Sequence, residues 1–256
     1  MKRVRLALAL ASTAAVAGGA APASSAGYET WPNRVQSARD HQETRSGIVS
    51  FAVVDERGVT RGYRPWLLAR SASVLKAMLM VTYLNQSSVR DRPLRDSDRN
   101  LLAPMIRWSD NATATTIRNR VGAAAIYRLA RRAGMKRFRL RYPWGYSEIC
   151  AVDQARFFYR IDSYIPARHR PYAMWLLASI VPSQRWGIPP VKPDGWRIYF
   201  KGGWGSGTGA VTHQIALLRN GEERIAIAVL TRRNPSHTYG TRTITGIAGR
   251  LLRGVT

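Results

Sequence analysis

Ser73-Val74-Leu75-Lys76 places a hydroxyl and an amine three residues apart, one helical turn on the same face. A serine hydroxyl is a weak nucleophile until a base lies beside it. Lysine can be that base only if burial or a second cation lowers its pKa, and arginine could not replace it. The spacing has an ordinary alternative, a surface serine and a lysine lying along a helix, so other elements must decide.

Two further short elements carry suitable chemistry. Ser109-Asp110-Asn111 supplies a hydroxyl, a carboxylate and an amide between two helical patterns, and Lys201-Gly202-Gly203 places a second amine at the end of a strand pattern. The run Gly202-Gly203-Trp204-Gly205-Ser206-Gly207-Thr208-Gly209 lacks the order of a phosphate-binding loop and reads as a link between two strands. Its glycines are better explained by close approach of the backbone to a ligand. His41, His169, His213 and His237 have no metal-ligand spacing, so neither a metal nor a cofactor is expected, and His213 is a remote alternative as partner to Ser73. Cys150, the single cysteine, cannot form an internal disulfide and reads as a small buried residue. The tryptophans, Trp144, Trp186 and Trp204 among them, read as core or cleft wall, with Trp204 the one expected to face a ligand.

These groups must be positioned by a mixed framework. A polar-rich amphipathic stretch over residues 31–43 is followed by a β-branched run at 48–54, the turn Asp55-Glu56-Arg57-Gly58 and a shorter strand at 59–63. Apolar residues at three-to-four spacing then predict helices over 72–84, 98–106, 112–121, 123–133, 153–161 and 171–181. Asp98 and Asp153 serve as N-caps or first-turn acids, and Pro171 suits a first turn. Strands return at 196–200, 210–218 and 224–231, the last two joined around Asn220-Gly221, before a closing helix at 240–252. Strands at both ends with helices between predict an α/β protein of the α+β sandwich type. Its five-stranded antiparallel sheet would carry the terminal helices on one face and an all-helical subdomain on the other.

In the order S-x-x-K, S-D-N, K-x-G, each in its proper setting, the three elements resemble the class A beta-lactamase and penicillin-binding family of serine hydrolases. The resemblance takes in nearly all of the chain after the leader, including Arg70-Ser71-Ala72-Ser73-Val74-Leu75-Lys76 and Asp153-Gln154-Ala155-Arg156-Phe157. It implies that Ser73 is acylated with Lys76 as base, that Ser109 relays a proton to the leaving group, and that Lys201 holds a substrate carboxylate and helps depress the Lys76 pKa. Asn111 would orient Lys76 and the substrate amide. Gly203 and Trp204 would line the substrate, the backbone N–H groups of Ser73 and Trp204 forming an oxyanion hole.

Two departures limit what the resemblance implies. Gly202 stands where the family has Thr or Ser, removing a hydroxyl that helps bind the carboxylate of a beta-lactam. The long loop carrying a water-activating glutamate is short here: Glu148 is the only acid between Lys136 and Cys150. It reads as a first-turn helix charge, with the deacylating base as the alternative.

Composition sets the wider expectations. Lys2, Arg3 and Arg5 precede a short apolar run and the small residues Ala21-Pro22-Ala23-Ser24-Ser25-Ala26, which read as a secretory signal over 1–26, leaving one hydrolase domain over 27–256. The formal charge of +25 falls to +22 without the three leading basic residues. So basic a surface favours an anionic cell wall, while the scattered arginines lack any nucleic-acid module. The expectations are therefore a secreted or wall-associated monomer taking a small beta-lactam or a cell-wall peptide. A non-catalytic, basic wall-binding protein is the alternative from another class.

Overall fold

A computed structural model describes residues 30–256, so the expected leader over 1–26 lies outside the described residues. The first helix, α1 (Trp31–Glu43), begins with Pro32 in its first turn, a position where the missing N–H costs nothing. Strand β1 (Ile48–Val54) is buried almost throughout, and β2 (Thr60–Tyr63) pairs with it antiparallel across the Asp55–Gly58 turn. The two-residue β3 (Ala69–Arg70) then leads into a 3-10 turn at Ala72–Val74 and helix α2 (Leu75–Leu84). Every residue of α2 is buried, as its all-round apolar composition requires.

The helical subdomain continues through α3 (Ser87–Arg90), α4 (Asp96–Ala103), a π turn at Pro104–Trp108 and α5 (Asn111–Arg132). Asp98 is the first-turn acid of α4, its side chain accepting from the Arg95 N–H at 2.7 Å. The two helices expected over 112–133 form one run interrupted at Gly122, whose φ of +70° and ψ of 164° are not helical and suit a residue without Cβ. A second short strand, β4 (Glu148–Ile149), pairs with β3 and precedes α6 (Ala151–Tyr159) and α7 (Arg170–Ala178). Pro171 lies in the first turn of α7.

The chain closes with β5 (Arg197–Gly205), β6 (Val211–Asn220), β7 (Glu223–Arg232) and α8 (His237–Leu251). The sheet is five-stranded and antiparallel, in the order β2-β1-β7-β6-β5, so the first and last parts of the chain meet at β1 and β7. Helices α1 and α8 pack together on one face, with α8 against β6 and β7; α6 and α7 cover the other. The expected sandwich is therefore the observed one.

Three expectations need correction. Strand β5 does not stop at Phe200 but runs through Lys201-Gly202-Gly203-Trp204 to Gly205, still paired with β6. The glycines are strand residues there, stripped of side chains because other groups press against them, and the link to β6 is only the segment from Ser206 to Ala210. Glu148 does not belong to a helix; it sits on β4, and α6 starts three residues later. The helix expected from residue 72 begins with a tighter 3-10 turn that carries Ser73.

Candidate active site

The 3-10 turn carrying Ser73 meets the edge strand β5 at its glycines. A Cβ at Gly203 would lie 2.8 Å from the backbone nitrogens of both Ser73 and Val74, so only glycine permits the strand to run this close. Ala72, just before Ser73, has a φ of +44°, a left-handed conformation that costs a residue with a Cβ ~1 kcal/mol. Ser73 itself is partly buried, and among the described residues its hydroxyl takes no hydrogen-bond partner. That leaves it open to a substrate.

Lys76 leaves the first turn of α2 and points at the junction of the π turn with α5. Its Nζ donates to the backbone carbonyl of Ser109 and to Asn111 Oδ1 at 2.8 Å, and lies 3.1 Å from Ser109 Oγ. Ser109 is aimed there by its own backbone, with φ +61° and ψ 34°, and the next residue, Asp110, caps α5 by accepting from the Thr113 N–H at 2.7 Å. From the opposite side, Lys201 Nζ reaches Ser109 Oγ at 3.0 Å and its own neighbour's carbonyl, Gly202 O, at 2.9 Å. The structure thus gathers Lys76, Ser109, Asn111 and Lys201 around one hydroxyl, with the Ser73 turn and Gly203 packed against each other beside them.

Both lysines are completely buried. Desolvation pushes Lys76 down to about 7, against the nearby Asp110 carboxylate, which pulls the other way. Lys201 falls well below its ordinary value, first by burial and then by repulsion from Lys76. Burial therefore leads, and the mutual repulsion bears on Lys201, whereas the family resemblance had implied that Lys201 depresses Lys76.

The proton arrangement follows. A neutral Lys76 amine has two N–H groups, which satisfy the Ser109 carbonyl and Asn111 Oδ1, leaving its one lone pair uncommitted to either. Lys201 then donates to Ser109 Oγ. Two amines are thus joined by a hydroxyl, and Ser73, three residues before Lys76, has no competing bond of its own.

Other sequence candidates fall away. His213 is fully buried, its Nε2 directed at Arg70 O at 2.9 Å and its Nδ1 accepting from the Thr231 N–H at 3.0 Å. Both ring nitrogens are occupied by backbone, and burial lowers its pKa to about 4, so it has no capacity to serve Ser73. Burial pushes the Cys150 thiol up to about 12, which keeps it protonated and inert. Glu148 is paired with Arg139 at 3.6 Å and Arg141 at 3.1 Å.

Aromatic groups finish the walls. The Trp144 ring lies 5.1 Å from Lys76 Nζ and is anchored by its indole N–H to Thr115 Oγ1 at 3.0 Å. Trp204 is more than one-third exposed on β5 and packs with Trp186 and His237. Of these, His237 was missed by sequence reasoning. Nothing in its local pattern ties the start of the last helix to the edge strand.

The layered fold thus holds two buried lysines on one serine hydroxyl, beside the turn that carries Ser73. The chain belongs to the beta-lactamase enzyme family, whose model matches residues 89–255, a range that contains Ser109, Asn111 and Lys201 but begins after Ser73 and Lys76. A comparison of the sequence with curated proteins finds no match. Among solved structures, the beta-lactamase from Sphaerobacter thermophilus DSM 20745 is 17% identical, with a TM-score of 0.75 over 88% of this chain and 97% of that one. A beta lactamase from Xanthomonas campestris pv. campestris str. ATCC 33913 is 13% identical, with a TM-score of 0.77 over 89% and 100%. An ancestral class A beta-lactamase is 18% identical, with a TM-score of 0.73 over 86% and 98%. At these identities the likeness is one of fold.

Proposed function

We propose that this protein is an exported serine hydrolase that cleaves a beta-lactam or a related amide or ester through an acyl-enzyme on Ser73. The observation that carries this reading is the pair of fully buried amines sharing one serine hydroxyl, one of them three residues from a Ser73 whose own hydroxyl is unbonded. In the acylation step Ser73 Oγ bonds to the substrate carbonyl carbon, and the bond to the leaving nitrogen or oxygen breaks. The serine proton passes to the neutral Lys76 and, through Ser109, a proton reaches the leaving atom. Backbone N–H groups of Ser73 and Trp204 serve the carbonyl oxygen, a contribution of ~3 kcal/mol for each donor in comparable sites. Gly203 supports that role by letting β5 lie against the Ser73 turn.

A second reading concerns the water step. Glu148, the one acid of the short loop, is held by two arginines, and the wall over Lys76 is the indole of Trp144. Among the described residues that wall supplies no carboxylate to activate water, which favours a slowly deacylating protein that binds penicillin or a cell-wall peptide.

Intact mass after exposure to nitrocefin separates these readings. The account predicts an adduct on the unaltered chain and none on Ser73→Ala, with nitrocefin colour change if water completes the cycle and a persistent adduct if it does not. Equal labelling of Ser73→Ala would contradict the assignment.

A further inference from the structure

Gly202 occupies the position from which a hydroxyl side chain would reach a substrate carboxylate, and the structure shows why no such side chain stands there. A Cβ at Gly202 would lie 3.0 Å from both Cζ2 and Cη2 of Trp186, whose ring covers this face of β5. The segment bearing Trp186 is fixed in place. The buried Gln214 side chain donates to Trp186 O at 2.7 Å and accepts from the Ile188 N–H at 2.6 Å, while Gly187 between them has φ +77° and no space for a Cβ.

Trp204 lies two residues along β5 from Gly202 and so on the same face. Trp186 meets the Trp204 ring edge-on at 5.8 Å and 81°, and the His237 ring at 5.1 Å and 84°. Trp204 and His237 are tilted by only 33° at 5.5 Å, and both are exposed to solvent. The imidazole is held by Thr212 Oγ1 at 3.2 Å from its Nδ1. Of the cations close by, Lys201 spends its amine on Ser109 and Gly202 O, and Arg185 donates to Ala178 O at 3.0 Å. The Gly202 face of β5 therefore presents three aromatic rings, and among the described residues no cation is in recorded contact with it.

We propose that Trp186, Trp204 and His237 form an aromatic subsite that takes an uncharged planar or apolar leaving group, in place of carboxylate recognition. This rests on the acyl-Ser73 reading above. Stacking and burial of an apolar ring against this platform supply the selectivity, and a carboxylate set there would lose hydration without gaining an ammonium or guanidinium partner.

The test compares two esters of phenylacetylglycine, the phenyl ester and its 3-carboxyphenyl counterpart, by release of the phenol in a single turnover. Each rate is divided by that of hydroxide hydrolysis. The phenyl ester is expected to acylate the unaltered chain at least about tenfold faster. Trp204→Ala and, as a second exposed site, His237→Ala are expected to bring the ratio towards one, and Trp186→Ala combined with Gly202→Thr to reverse it. Equal or faster reaction of the carboxylated ester with the unaltered chain, or an unchanged ratio in both single variants, would overturn the subsite while leaving Ser73 acylation in place. Absence of phenol release from either ester would overturn the acylation reading and the subsite with it.

Discussion

Two buried sites of ionisable groups, one within the helical subdomain and one where it meets β5, are built on opposite terms. Asp98 is buried, but Arg92 meets it at 2.6 Å and 3.1 Å, Tyr83 donates to it at 2.7 Å, and the Arg95 N–H adds another bond. Burial alone would raise its pKa, and these partners overcome that and hold it at about 2. Lys76 and Lys201 are buried as deeply without a carboxylate in contact, so burial drives their charge off. The contrast teaches how to separate a charge that holds the fold from one that has been made reactive. The first is paired with an opposite charge, and the second has hydrogen-bond partners but no countercharge in contact.

If that division is right, removing Lys76 should cost activity and not stability. Lys76→Met is expected to lower the Ser73 labelling rate by a factor on the order of 10³, a typical loss for a general base. The unfolding midpoint in urea should be unchanged or higher, because relief from stripping an ammonium of water offsets the hydrogen bonds lost to Ser109 O and Asn111 Oδ1. A fall in stability with unaltered labelling would erase the distinction between the two sites.

Asp98→Asn should do the reverse, costing about 2 kcal/mol in urea unfolding at pH 7, with the labelling rate of the folded protein unaffected. The sign follows from a folded-state pKa below the unfolded one. This stability is present above pH 4 and is lost as pH falls from about 4 towards about 2, and the variant should lack that part of the acid transition.

The smallest effect is expected at Glu148. Exposed arginine pairs of this kind are worth ~0–1 kcal/mol, so Glu148→Gln should leave the lifetime of the acyl adduct unchanged by mass spectrometry. A clear lengthening would place this residue in the water step and narrow the difference between this loop and that of efficient hydrolases.

Much of this was legible in the sequence because period and chemistry agreed. The alternating strands, the helical block and the three motif elements each have a local signal, and their order along the chain specified which would converge. The two halves of 111–133 are separated at Gly122, as their apolar pattern indicates. What escaped was set by contacts between distant segments. Strand β5 continues through glycines because the Ser73 turn and Trp186 press on them, a fact invisible in local propensity, where glycine marks a link. Glu148 became a strand residue because β3 offered a partner 78 residues away. The His237 ring joins Trp204 only because α8 folds back on the sheet.

The central claim is that burial gives Lys76 its free amine near neutrality. The pH profile of the second-order labelling rate of Ser73, followed from pH 5 to 10 by intact mass, addresses it directly. The account predicts a rate that rises with loss of one proton, with its half-maximum at about 7, and that this inflection disappears in Lys76→Met. A profile that rises only near the ordinary lysine range above 10, or that is the same without Lys76, would contradict it.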